Sequence, residues 1–190
     1  MMGPSDQHPR ASIEELIQGS SLGTEGARKI RERTPPAQAE LTRQIARLRS
    51  AIDRQGELND WFKLGVLLED HRRFLAAAQL YRLLGAASLY RLASVCTRTG
   101  DHDKARLWTE RAKSIARAGD DYPPVSNIRI KLADGQRDNH AHSAAQYRWI
   151  GYTALCRLSE VCSQAGVEQE AKLWWDRAQV ISPNNRRDPG

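Results

Sequence analysis

The chain has 190 residues, enough for one domain or one repeat array with tails and for a sizeable core. Hydrophobic residues make up 40% and charged residues 27%, so most of the chain is expected to fold, and no segment approaches the ~20 apolar residues of a bilayer span. The net charge is +6, carried mainly by arginine; a guanidinium suits phosphate or carboxylate recognition, but acidic residues are interleaved almost throughout, which favours reading the arginine bias as that of a GC-rich coding genome.

Met1 to Arg10 has no apolar periodicity and reads as a disordered tail, without the apolar core of a signal peptide. The expected location is therefore cytoplasmic. Ile13, Leu16 and Ile17 suggest a short helix, Ser20 to Thr24 a turn, and Glu25 to Arg33 a second short helix. Pro35-Pro36 opens a stronger helix, with proline tolerated in the first turn. Its apolar residues Leu41, Ile45, Leu48 and Ile52 are spaced by four, three and four, and Gln55-Gly56 ends it. Residues 11–56 are read as an N-terminal helical cap. The heptad-like spacing also fits a short coiled-coil seam, but it covers fewer than two heptads, so packing as a cap is the favoured reading.

Residues 57–182 are read as an array. Its first unit, 57–85, opens with Trp61, Leu64, Gly65 and Leu68, continues with Ala77 and Tyr81, and is expected to end near Leu84-Gly85. The second unit, 86–117, and the last, 152–182, show a repeat. Leu89 to Ala116 and Leu155 to Ser182 align without a gap, identical at 12 of 28 positions and offset by 66 residues. Each copy reads as two helices joined at a glycine, Gly100 or Gly166. Ala105, Leu107, Trp108, Ala112 and Ile115 line the second helix of one copy, and Ala171, Leu173, Trp174, Ala178 and Ile181 that of the other. Residues 118–151 form a degenerate unit that begins with the break Gly119 to Pro124. Val125, Ile128 and Leu132 are expected to line a short helix there, and a further helix from about Asn139 to run on toward the last unit. Residues 183–190 read as a second disordered tail.

The helix–turn–helix units resemble the tetratricopeptide repeat. Trp61-x2-Leu64-Gly65-x2-Leu68 matches its opening with Leu for Tyr, Ala77-x3-Tyr81 and Ala171-x3-Trp175 match its middle, and Pro183 its end. The resemblance implies an all-α solenoid of antiparallel helix pairs, working as a scaffold or adaptor that binds a peptide or helix of a protein partner in a concave groove. It carries the groove positions onto Asn59, Phe62, Val66 and Glu69, onto Tyr90, Ser94, Thr97 and Arg98, and onto Thr153, Cys156, Glu160 and Ser163. The Lys and Asn clamp with which one branch of the family grips a chaperone tail is missing at these places, so that partner is disfavoured. The groove is alternatively filled by the chain's own N-terminal helix. The partner itself is not identified by the sequence, and homo-oligomerisation is left open.

A rival reading is a nucleic-acid-associated regulator using the basic N-terminal third. Arg43, Arg47, Arg49 and Arg54 would supply phosphate contacts, and residues 12–33 faintly resemble a helix-turn-helix with too few apolar residues for a core. The three cysteines, Cys96, Cys156 and Cys162, sit in apolar patterns and read as buried thiols rather than a disulfide or zinc set. His140 and His142 are two apart, which does not place them on one helix face; a polar helix start is favoured over a metal site. No phosphate loop, nucleophile elbow or metalloprotease helix is present, so neither enzyme activity nor a cofactor is expected.

Overall fold

The computed structural model describes residues 36–116, 128, 130–132 and 139–184. The expectations for residues 1–35, including both short helices and the helix-turn-helix-like segment, lie outside the described residues, as do those for Val125 and residues 185–190. The chain divides into two compact units, Met1–Thr42 and Arg43–Gly190. The described residues are helical apart from their connections, and no strand occurs among them.

Helix α1 (Pro36–Gln55) begins on the second proline of the Pro-Pro pair and runs across the division between the units. Leu41, Ile45 and Ile52 are buried at the spacing anticipated, and Leu48 is half-buried. Gly56, in the left-handed region at φ 65°, ends the helix.

Helix α2 (Leu58–Asp70) buries Trp61, Leu64, Gly65 and Leu68, one stripe of its surface. Beyond it the 25-residue helix α3 (Phe74–Arg98) runs straight through Leu84-Gly85, where a boundary was expected. The reason is what Gly85 does. A Cβ built on it would lie 3.1 Å from Leu155 Cδ2, so the glycine permits close approach of another helix rather than a turn. Helix α5 (His140–Gln164) likewise passes through Gly151, where a Cβ would lie 3.1 Å from Leu89 Cδ2. The divisions expected after residues 85 and 151 therefore fall inside continuous helices, while the run from Asn139 into the last unit occurs as anticipated.

Short helices α4 (His102–Ile115) and α6 (Glu168–Ile181) fold back on α3 and α5. Ala105, Trp108, Ala112 and Ile115 are buried on α4, and Ala171, Trp174, Ala178 and Ile181 on α6. Leu107 is only half-buried and Leu173 is exposed, against expectation, because each lies about 100° round the helix from its buried tryptophan neighbour. Cys96 and Cys162 are buried at equivalent places, and burial raises the pKa of both thiols; Cys156 is only half-buried. His140, Ala141 and His142 form the first turn of α5, where Asn139 Oδ1 accepts from the His142 amide at 3.0 Å.

The second hairpin repeats the first at an offset of 66 residues, element for element. The identity extends upstream of Leu89: Tyr81-Arg82-x-x-Gly85 recurs as Tyr147-Arg148-x-x-Gly151. Arg111 lies over the Trp108 ring at 4.6 Å, and Arg177 over Trp174 at 4.7 Å. The contacts at the crossing are reciprocal, Gly85 with Leu155 and Gly151 with Leu89, and the partners of each pair are exchanged by the 66-residue shift. Reciprocity of that kind belongs to a two-fold relation, in which a surface meets its own copy, rather than to a simple stacking of successive units. The core is the crossing of α3 and α5, with Ala86, Leu89, Ala154 and Leu155 buried along it.

Of the segment expected to form a short helix, the described residues Ile128, Ile130, Lys131 and Leu132 are not helical. The Lys131 amide donates to the Gly56 carbonyl at 2.8 Å, and Glu57 and Lys131 pair as an isolated parallel bridge. Ile130 is buried, which holds this extended segment beside the start of α2.

Three helix ends share one hydrogen-bonding pattern. At Gly100 and Gly166 the following amide reaches back to the carbonyls of Cys96 and Cys162, both at 2.9 Å, while the glycine amides bond Thr97 and Ser163. Helix α2 ends in the same way, but Arg72 holds the left-handed position, at φ 54°. Arg72→Gly should therefore stabilise the fold by about 1 kcal/mol, net of the backbone entropy that glycine loses on folding. Gly100→Val and Gly166→Val should destabilise by roughly 1–3 kcal/mol each. Urea unfolding of the three variants checks the assignment, and a loss of stability in Arg72→Gly would contradict it.

Candidate functional site

The two long helices, α3 and α5, converge on the carboxylate of Glu69, near the end of α2. The Tyr81 hydroxyl donates to Glu69 Oε1 at 2.7 Å, and Arg157 Nη2 lies 3.2 and 3.3 Å from its two oxygens. The Glu69 side chain is only 9% exposed. Burial, followed by the bond to Glu69, pushes the Tyr81 phenol well above its ordinary pKa, so it stays a donor at all ordinary pH values. Gly65 faces Tyr81 with no room for a side chain, and the Phe62 ring packs on Tyr81 at 6.2 Å between centroids. The α2 helix is thus latched to both long helices through one carboxylate.

This geometry changes the standing of the expected groove on α2. Glu69 is committed to the latch and is not a free contact for a partner. Phe62 is half-buried against Tyr81, while Asn59 and Val66 are exposed. Tyr90 does not extend a row from Phe62. It lies nine residues beyond Tyr81 on α3, which is about 180° round the helix, so Phe62 and Tyr90 approach opposite sides of α3.

The two-fold counterpart of the latch is a cleft between α3 and α5. Its volume is about 510 Å³, and it is lined by Arg91, Ser94, Arg98, Lys131, Ser143 and Tyr147 among others. Arg91 and Tyr147 are the 66-residue counterparts of Arg157 and Tyr81. Ser94 stands where the other copy has Glu160, which bonds Arg157 at 2.7 Å, and Arg98 stands where it has Gln164. Arg91 Nη2 donates to the Ile128 carbonyl at 2.8 Å, and Lys131 Nζ lies 3.5 Å from Glu57 Oε1. Two residues of the expected groove, Ser94 and Arg98, therefore belong to a basic cleft. Thr97 is exposed and its hydroxyl donates to the Ala93 carbonyl at 3.1 Å.

The remaining expected residues share the outer side of α5. Thr153, Cys156, Glu160 and Ser163 fall on one bearing of that helix, together with Trp149 and Tyr152. Ser163 donates to Glu168 at 3.0 Å. Trp149 is 56% exposed and rests against Tyr152 at 5.7 Å. Tyr152 is within hydrogen-bonding reach of Cys156 and of Gln179 on α6, and Trp175, 48% exposed, lies one turn from Gln179. An aromatic face thus spans α5 and α6. The sequence reading missed it because Trp175 was matched to a packing position of the tetratricopeptide pattern, whereas the buried residue is its neighbour Trp174.

On α1, Arg43, Arg47 and Arg54 are exposed on one stripe, opposite Ile45 and Ile52; Arg54 Nε bonds the Ser50 carbonyl of its own helix at 3.0 Å. Arg49 is half-buried and points elsewhere, one turn from Ile45. Comparison with protein-family models, with curated proteins and with solved structures finds no match to this chain. Among the described residues no group of three or more histidines, cysteines and carboxylates is placed to hold a metal ion, and no helix is long and apolar enough to cross a membrane.

Removal of the latch carboxylate should be felt in stability. Glu69→Ala leaves the Arg157 guanidinium and the Tyr81 hydroxyl without their shared acceptor, for a cost of about 2 kcal/mol. Tyr81→Phe, which keeps the ring, should cost about 1 kcal/mol. The two losses should combine to less than their sum, because one carboxylate serves both donors. Chemical denaturation of the single and double variants measures this, and strict additivity would mean that the two bonds are independent.

Proposed function

We propose that this chain is a helical binding module for a protein partner, and that the partner meets it on the face carrying Trp149, Tyr152 and Trp175. The observation that carries the reading is the exposure of two tryptophans on adjoining helices, one resting on a tyrosine. Large aromatic side chains left at the surface contribute the most binding energy per residue when a partner covers them. The first hairpin offers a contrast. The counterparts of Trp149 and Tyr152 there are Leu83 and Ala86, both buried, and that of Trp175 is Thr109. The aromatic surface is thus a property of one copy, which is how a duplicated scaffold acquires a site. Thr153, Cys156, Glu160 and Ser163 extend the face along α5. Chaperone-tail binding remains disfavoured for want of the clamp residues.

The double substitution Trp149→Ala, Trp175→Ala should abolish recovery of the partner from a cell extract. Its helical circular dichroism and melting temperature should stay nearly those of the parent, since neither side chain belongs to the core. If it instead recovers the same partners while Arg43→Glu, Arg47→Glu loses them, the surface lies on α1. In that case binding to generic DNA or RNA that weakens steeply with salt would favour the nucleic-acid reading.

A further inference from the structure

The duplication turns one half of the molecule into a description of what the other half binds. In the first copy a Tyr–Arg pair, Tyr81 from α3 and Arg157 from α5, closes on the side-chain carboxylate of Glu69. The residues related to these by the 66-residue shift, Tyr147 on α5 and Arg91 on α3, line a cleft of about 510 Å³. We infer that this cleft takes the side-chain carboxylate of an acidic peptide segment from a partner protein, in the way that its twin takes Glu69.

Two features carry the assignment. The first is charge. Arg91 and Arg98 line the cleft with Lys131, whose ammonium lies 3.5 Å from Glu57 Oε1, and no acid is among its described lining residues. Relative to the latch it has exchanged Glu160 for Ser94 and Gln164 for Arg98, so both differences raise its positive potential. The second is donor capacity. Arg91 uses Nη2 on the Ile128 carbonyl, while a guanidinium carries five N–H donors, and Arg98 is exposed beside it. Planar guanidinium groups suit carboxylates, which they engage through paired charge-assisted hydrogen bonds.

The site is separate from the aromatic face: Tyr147 and Trp149 lie about 200° apart round α5. The inference goes beyond the proposed partner surface and stands or falls without it.

The test is a titration of the ¹⁵N-labelled full chain with an acetylated, amidated peptide of residues Leu64–His71, which carries Glu69 and Asp70. Amide shifts should cluster at Ser94, Arg98, Lys131 and Tyr147. Affinity should fall roughly tenfold when the peptide's Glu69 is Gln, and by a similar factor for the Arg98→Glu protein, whose exposed side chain leaves the fold intact. The Trp149→Ala, Trp175→Ala protein should bind the peptide unchanged, which separates this proposal from the previous one. The proposal is overturned by absence of shifts at the cleft, by shifts confined to Tyr81 and Arg157, or by an Arg98→Glu protein that binds equally well. It is also overturned if inorganic phosphate reproduces the shifts and competes at equal concentration, since the cleft would then be a site for free anions.

Discussion

The molecule depends on the contact between two helices at two glycines. Gly85 lets α3 approach Leu155 of α5, and Gly151 lets α5 approach Leu89 of α3. A glycine inside a helix costs about 0.5–1 kcal/mol relative to alanine. Two of them at equivalent places offset that cost by bringing two 25-residue helices together along their buried alanine and leucine faces. Helices α2, α4 and α6 pack on the two long helices. The short helices α4 and α6 cover its flanks with Trp108 and Trp174, and α2 latches across both long helices through Glu69.

The two-fold character of the crossing explains where binding surfaces arise. A duplicated hairpin begins with two equal grooves and two equal outer faces. Here the copies have diverged. One groove is filled by α2, whose carboxylate meets Tyr81 and Arg157; its twin keeps the arginine and the tyrosine and gains positive charge at Arg98. One outer face is buried at Leu83 and Ala86, and its twin carries Trp149 and Tyr152.

Much of this was legible in the residues, for reasons that can be named. The 3.6-residue spacing of Trp61, Leu64 and Leu68, or of Leu89, Leu92 and Cys96, marks the buried stripes because burial and periodicity are the same fact in a two-layer helical packing. Gly100 and Gly166 were legible as turns because the apolar register of the preceding helix stops at each and restarts a few residues on. Gly85 was misread as a stop by the same logic: glycine serves both left-handed turns and close approach, and only the partner helix decides which. The Tyr-Arg-x-x-Gly duplication went unseen because its flanking residues have diverged, leaving four shared positions, with Ala78 and Ala144, upstream of Leu89. The latch was not legible at all, since Glu69 and Arg157 stand 88 residues apart and nothing local in the chain pairs them. The groove residues transferred from the repeat pattern dispersed onto three surfaces because that transfer assumed a turn in the middle of what is one helix.

The most direct measurement of the account is a nuclear Overhauser experiment on protein carrying methyl-labelled leucine. The crossing predicts cross-peaks from the Gly85 α-protons to the Leu155 methyls and from the Gly151 α-protons to the Leu89 methyls, of similar intensity. It also predicts unbroken sequential amide contacts through residues 83–87 and 149–153. Loss of those amide contacts at either glycine, or a cross-peak from one pair without the other, would contradict a two-fold crossing of continuous helices.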